Sequence, residues 1–302
     1  MAQPRLIVYN TDRNKTSKIT VAFARGVIKS HTHQVKHIPI ADYLCNGWDD
    51  TLVPGRDAVA TLGILRGTGL MLKEAQQRGL DYYYIDHAYF NPGYSGKGWM
   101  RVTKNGHACN SLRHSNSAAW DAFAASNPAN HLLPWRTNEQ RGEKIIICPP
   151  THAVSWYTGV NYDWGEEIAA RIRHQLPADQ HDRTVIRRKP KEPIVDSQGN
   201  LLELRTVPQC GSLDDDLDNA YCVVAYNSMV ALAATLRGIP VIVGDISCCT
   251  SVGFKIDDFK KPDVFNIEPD RLTMLHWLAN NQWKIRDFEN GAAWERLQEN
   301  YR

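Results

Sequence analysis

The sequence predicts an α/β chain built from parallel strands and the helices that connect them. Three observations predict it. The stretch Val223–Val243 reads VVAYNSMVALAATLRGIPVIV. It is an apolar strand, a polar break at Asn227-Ser228, an Ala- and Leu-rich helix stopped by Gly238, and a second apolar strand restarted by Pro240. Short apolar runs also alternate with amphipathic stretches from the beginning of the chain, Leu6–Tyr9 followed by Ile19–Lys29 being the first pair. The length of 302 residues suits two domains of about 150 each.

Composition narrows the class. Apolar residues make up 43% of the chain, yet no run reaches 18 apolar residues, so no membrane span is expected. MAQPRLIVYN enters a strand-like run directly and has no signal-peptide pattern. Seven cysteines are scattered without a CxxC pair, which predicts reduced thiols and a cytoplasmic location. His31, His33 and His37 lack the spacing and carboxylates of a metal site. Asp214, Asp215, Asp216 and Asp218 suit the first turn of a helix, where acids oppose the dipole, better than a metal cage. No metal is expected.

Taken in order, the first half predicts strands at Leu6–Tyr9, Val35–Ile40, Asp57–Leu65, Asp81–Phe90 and Trp99–Val102. Helices are predicted at Ile19–Lys29 and Leu70–Arg78. Asp42–Val53 reads as irregular. Arg66-Gly67-Thr68-Gly69 is a tight turn that lets another chain segment approach. Pro134 and Arg136–Gly142 mark a linker, giving domains 1–142 and 143–302. In the second half, strands are expected at Lys144–Cys148, Thr184–Ile186, Tyr221–Ala225 and Val241–Val243. A helix is expected over Asp163–Gln175, a hairpin over Glu192–Val207 turning at Ser197–Asn200, and helices at Asp270–Asn280 and Glu289–Glu299.

Charge is uneven. Residues 1–142 hold 17 Lys and Arg against 10 Asp and Glu; residues 143–302 hold 18 against 23. A basic half predicts an anionic partner, nucleic acid first and a phosphorylated metabolite second. Asp86 and His87 end a strand, where ligands of open parallel sheets bind, and the pair suits acid–base work. A Gly-rich loop follows, Asn91–Gly98, and the region carries Lys97, Arg101 and Lys104 with Tyr94 and Trp99 interleaved. Cations for phosphate and rings for a base suit DNA, and the rings equally suit a sugar.

Asn227-Ser228, a run of small and apolar residues, and then Gly238-x-Pro240-Val241 together resemble the donor-binding half of the GT-B glycosyltransferases. Arg187-Arg188-Lys189-Pro190, which ends the strand Thr184–Ile186, is similar to the Arg-Pro or His-Pro motif at the equivalent place. The resemblance implies two Rossmann-like domains facing a cleft, the nucleotide-sugar on the second and the acceptor on the first, with the last helix crossing back to the first. It implies that Asn227, Ser228 and Met229 hold the donor diphosphate together with Arg187, Arg188 and Lys189. The family usually places a ribose-binding Glu in this helix; Ala233 stands there, so ribose recognition must come from elsewhere.

A compact GT-B chain with a basic acceptor half, and the Asp86-His87 strand with its WMRVTKNGHACN sequel, further resemble bacteriophage enzymes that glycosylate 5-hydroxymethylated pyrimidines in their own DNA. That resemblance implies double-stranded DNA as partner, Arg13, Lys15, Lys97, Arg101 and Lys104 as its contacts, and the host cytoplasm as location. The donor expected first is a UDP-sugar, with no metal required. Asp86 would deprotonate the acceptor hydroxyl, or orient His87 to do so, and one displacement would invert the sugar carbon. Two alternatives stay open: a GT-B transferase acting on a polysaccharide or small molecule, and a non-enzymatic nucleotide- or nucleic-acid-binding protein.

Overall fold

The computed structural model describes residues 3–11, 13–93, 98–108 and 115–301. In the first half the strands are β1 (Arg5–Asn10), β2 (Gln34–Pro39), β3 (Ala58–Leu62), β4 (Asp81–His87) and β5 (Trp99–Lys104). They are followed by β6 (Lys144–Cys148), β7 (Thr184–Ile186), β8 (Lys191–Val195), β9 (Leu201–Thr206), β10 (Ala220–Ala225), β11 (Val241–Val243) and β12 (Gln282–Lys284). The chain forms two compact units, one of residues 1–117, 195–201 and 277–302, the other of 118–194 and 202–276.

The first unit holds a six-stranded sheet in the order β12-β5-β4-β3-β1-β2. β1, β2, β3 and β4 run parallel, and β5 and β12 close one side with antiparallel pairings. β1 and β3 are buried on both faces, which is why they read as continuous apolar runs rather than alternating ones. Helix Asn14–Lys29 lays Ile19, Phe23 and Val27 on this sheet, where they meet Tyr83, Phe288 and Trp294. The Trp294 indole N–H donates to Thr32 Oγ1 at 2.9 Å, so its polar edge is satisfied inside the core.

The second unit holds a fully parallel sheet, β11-β10-β6-β7, and the separate hairpin β8-β9. Ile145, Ile147, Ile168, Ile172, Val224 and Phe265 share its core. The chain begins this sheet at β6, adds β7 on one side and returns to add β10 on the other. The order therefore reverses between β6 and β10, and a ligand crevice is expected outside their carboxyl ends.

Several expectations change. The units divide after residue 117 rather than after 142, because Trp135 donates to Phe265 O and Arg136 to Gly238 O, tying the expected linker into the second unit. Residues 277–302 belong to the first unit because β12 pairs with β5; a three-residue strand is too short to show periodicity. Ile40–Asn46, partly inside the stretch read as irregular, is a helix. At the Arg66–Gly69 turn, Gly67 has φ +87° and a Cβ there would meet the Leu44 side chain at 2.8 Å, so the approaching segment is that helix.

Gly238 is required for a similar reason. Its φ is +71° and a Cβ would lie 1.9 Å from Pro134 O. Left-handed backbone and a main-chain clash act together here. Gly238→Ala is expected to destabilise the second unit by roughly 3 kcal/mol, read as a lowered urea midpoint.

Candidate functional site

At the switch point of the second unit, Tyr226 N–H donates to Cys148 O at 3.3 Å, the last link between β10 and β6. Beyond it the chains part. One continues as Pro149-Pro150-Thr151 into helix His152–Thr158, the other as Asn227-Ser228-Met229 into helix Val230–Leu236. Ser228 Oγ accepts from Val230 N–H at 3.3 Å. The main-chain N–H groups of Asn227, Ser228 and Met229 donate to no other group among the described residues. Three consecutive main-chain donors thus lie without an acceptor among the described residues where the sheet opens, an arrangement by which backbone can hold phosphate oxygens.

The three cations after β7 differ in availability. Arg187 is mostly buried, and its Nη1 donates to Asp216 at 2.5 Å. Asp216, 4% exposed, also takes Lys144 Nζ at 2.8 Å. Arg187, expected on the donor diphosphate, is thus paired with a buried carboxylate of its own unit in this structure. Arg188 meets the half-exposed Glu166 at 2.6 Å, and Lys189 is exposed. The aspartate run reads as a helix start, Leu213–Asp218, with Ser212 capping it. Asp214 pairs with Arg237, and Asp216 with Arg187 and Lys144. Among the described residues no group of three or more His, Cys, Asp or Glu is placed to hold a metal, and no helix is long and apolar enough to cross a membrane.

A cavity of about 540 Å³ also lies in this unit, between helix His152–Thr158, the start of helix Trp164–Arg173 and the hairpin. Its wall includes Glu192, 4% exposed, which accepts from His152 N–H at 3.1 Å and from Arg205 at 2.5 Å. The His152 and Tyr162 rings stack at 4.3 Å.

In the first unit, Asp86 lies at the carboxyl end of β4, directly opposite Arg101 in the register with β5. Its Oδ2 accepts from Tyr84 OH at 2.7 Å and from Arg101 Nη2 at 3.0 Å; its Oδ1 accepts from the His87 main-chain N–H at 2.7 Å. The Tyr84 ring stacks on His107 at 4.8 Å, and Tyr84 Oη lies 3.3 Å from His107 Nε2. With the hydroxyl proton given to Asp86, a neutral His107 donates from Nε2. Burial pushes the Asp86 carboxyl up, but Arg101, His107 and these donors outweigh it and hold it below the usual carboxylate range. Asp86 is thus a fixed, ionised acceptor near neutral pH. His87 reaches it through the main chain, which is not the ring contact expected if Asp86 oriented that imidazole.

Burial pushes the His107 imidazole down to about 4. The sign follows: unfolded His107 takes its proton near pH 6.5 and folded His107 does not, so this stability is present above pH 6.5 and is lost as pH falls toward 4. Urea unfolding of the first unit is expected to lose roughly 2 kcal/mol from this residue between pH 7 and pH 5, and His107→Phe is expected to flatten that slope.

The cations read as DNA contacts separate similarly. Arg13 and Lys15 are exposed. Arg101 is 7% exposed, under the Tyr89 ring and bound to Asp86, and Lys104 pairs with Asp81 at 2.8 Å. Both, expected as DNA contacts, are held by carboxylates of the first unit in this structure. Lys97 lies outside the described residues. Tyr84 was legible as the i−2 neighbour of Asp86 on the same strand face, whereas Tyr162 and Glu192 carried no sequence signal for the places they occupy.

No family model matches this chain, and no curated protein matches its sequence. Among solved structures, the KpsC beta Kdo 2,7 transferase of Thermosulfurimonas dismutans aligns over 97% of this chain and 99% of its own length, at 13% identity and a TM-score of 0.48. The beta Kdo 2,4 transferase of the same KpsC aligns over 92% and 91%, at 10% identity and 0.45. A co-structure of S. aureus MnaA with UDP aligns over 98% and 95%, at 11% identity and 0.30. Likenesses this distant leave the α/β assignment resting on the chain's own strand order.

Proposed function

We propose that the chain is a glycosyltransferase that moves a sugar from a nucleotide-sugar to an acceptor hydroxyl. The observation that carries this reading is the run of three N–H donors without an acceptor among the described residues, Asn227 to Met229, at the switch point of the second sheet. Arg188 and Lys189 follow strand β7, on the far side of β6 from β10, and suit the charge of a departing diphosphate. On the first unit, ionised Asp86 accepts the acceptor's proton. The freed oxygen bonds to the sugar carbon, the bond from that carbon to the diphosphate breaks, and the diphosphate leaves with the electron pair. A single displacement of this kind inverts the carbon. The donor read first is a UDP-sugar. The acceptor read first is duplex DNA bearing 5-hydroxymethylcytosine, supported by the basic first half and by exposed Arg13 and Lys15.

A thermal-shift panel of UDP-, GDP- and CMP-sugars, with and without that DNA, tests the reading. A shift with one nucleotide class and a glycosylated product on the DNA are the expected results. A shift with no DNA product moves the acceptor to a polysaccharide or small molecule. No shift with any donor, at high protein concentration and with no hydrolysis, overturns the transferase reading.

A further inference from the structure

Of the residues lining the cavity in the second unit, only Arg188 enters the transfer scheme. Its volume of about 540 Å³ falls in the roughly 300–1,000 Å³ range of small-molecule sites. Two of its polar groups are unanswered. Ser155, on helix His152–Thr158, is 2% exposed, lines the cavity, and its hydroxyl has no hydrogen-bond partner among the described residues. A hydroxyl that reaches a cavity without a protein partner is open to water or to a ligand atom there. Asp163 stands just before helix Trp164–Arg173 but does not cap it, and its carboxylate has no partner among the described residues.

The other walls decide the ligand class. Tyr162 offers a ring that His152 covers on one face and that remains 48% exposed. The charges are balanced, Arg188 and Arg205 against Asp163 and Glu192. The start of helix His152–Thr158 is already filled by the Glu192 carboxylate. A phosphate or other polyanion gains little in such a pocket. A ligand with several hydroxyls, each able to give and accept a hydrogen bond, and with an apolar ring face for Tyr162, fits all four observations.

We propose that this pocket is a saccharide subsite, taking a neutral sugar ring that stacks on Tyr162, donates to Asp163 and bonds Ser155 at its inner end. The proposal goes beyond the donor reading and does not depend on it, because no nucleotide takes part.

Saturation-transfer difference NMR on the full chain, with glucose, galactose, mannose and N-acetylglucosamine at millimolar concentration and no nucleotide, tests it. At least one sugar is expected to give signal. Tyr162→Ala and Asp163→Asn are each expected to weaken its binding about tenfold. Both residues are exposed, so unchanged melting of each variant separates lost contact from lost fold. Silence from all four sugars, or equal binding by Tyr162→Ala, overturns the proposal. Displacement of the sugar by UMP, GMP or CMP also overturns it, by assigning the cavity to the donor nucleotide. The donor thermal-shift panel is read separately, so either idea can fail alone.

Discussion

Asp86→Asn is expected to lower kcat by about 10²–10⁴ on the donor and acceptor pair that the panel identifies, with KM for the donor unchanged. The substitution removes the basic oxygen and also the counter-charge of the buried Arg101, so a loss of stability of about 3 kcal/mol is expected with it, and kcat is compared on protein shown to be folded. The pH profile adds a second readout. Arg101 and the other donors hold the Asp86 carboxyl below the usual range. The acid limb of kcat/KM is therefore expected at lower pH than a free carboxylate would give. A variant that turns over like the parent would remove Asp86 from the chemistry and leave it a structural partner of Arg101.

Arg187→Ala is expected to cost the second unit about 3–5 kcal/mol, the size of breaking a buried ion pair by removing one partner. Asp216 would keep only Lys144, a side chain more than a third exposed, against its own burial. Arg188→Ala makes the contrast, since its Glu166 partner is half exposed and such pairs contribute about 0–1 kcal/mol. It is expected to leave the urea midpoint nearly unchanged while raising donor KM. If Arg187→Ala instead left the midpoint alone and raised donor KM, the phosphate role would return to Arg187 and the Asp216 cluster would not be what holds the unit.

The cations show why the site was only partly readable. Arg187, Arg188 and Lys189 are adjacent in sequence and look alike there. Side chains alternate about a strand end, so one turns inward to Asp216 and the next outward to Glu166. Arg101 and Lys104 read as cations free to meet an anionic partner. Their carboxylate partners, Asp86 and Asp81, come from the neighbouring strand, and pairing across strands 15 or 23 residues apart leaves no local pattern. The Gly238 turn was readable because backbone conformation is chosen locally; the Pro134 carbonyl that also requires glycine there was not.

What the sequence by itself determined is the α/β class, the parallel strands of the second unit and the position of the Asn227-Ser228 turn between strand and helix. These follow from short-range rules: continuous apolar runs for buried strands, Asn-Ser before a helix, Gly-x-Pro after it. Only the tertiary structure decided where the units divide, which cations stay exposed, that Asp86 is clamped by Tyr84 and Arg101, and that Ser155, Tyr162 and Asp163 share a cavity. Those outcomes depend on which distant segments become neighbours, and burial and pairing are then set by contacts that no window of adjacent residues contains.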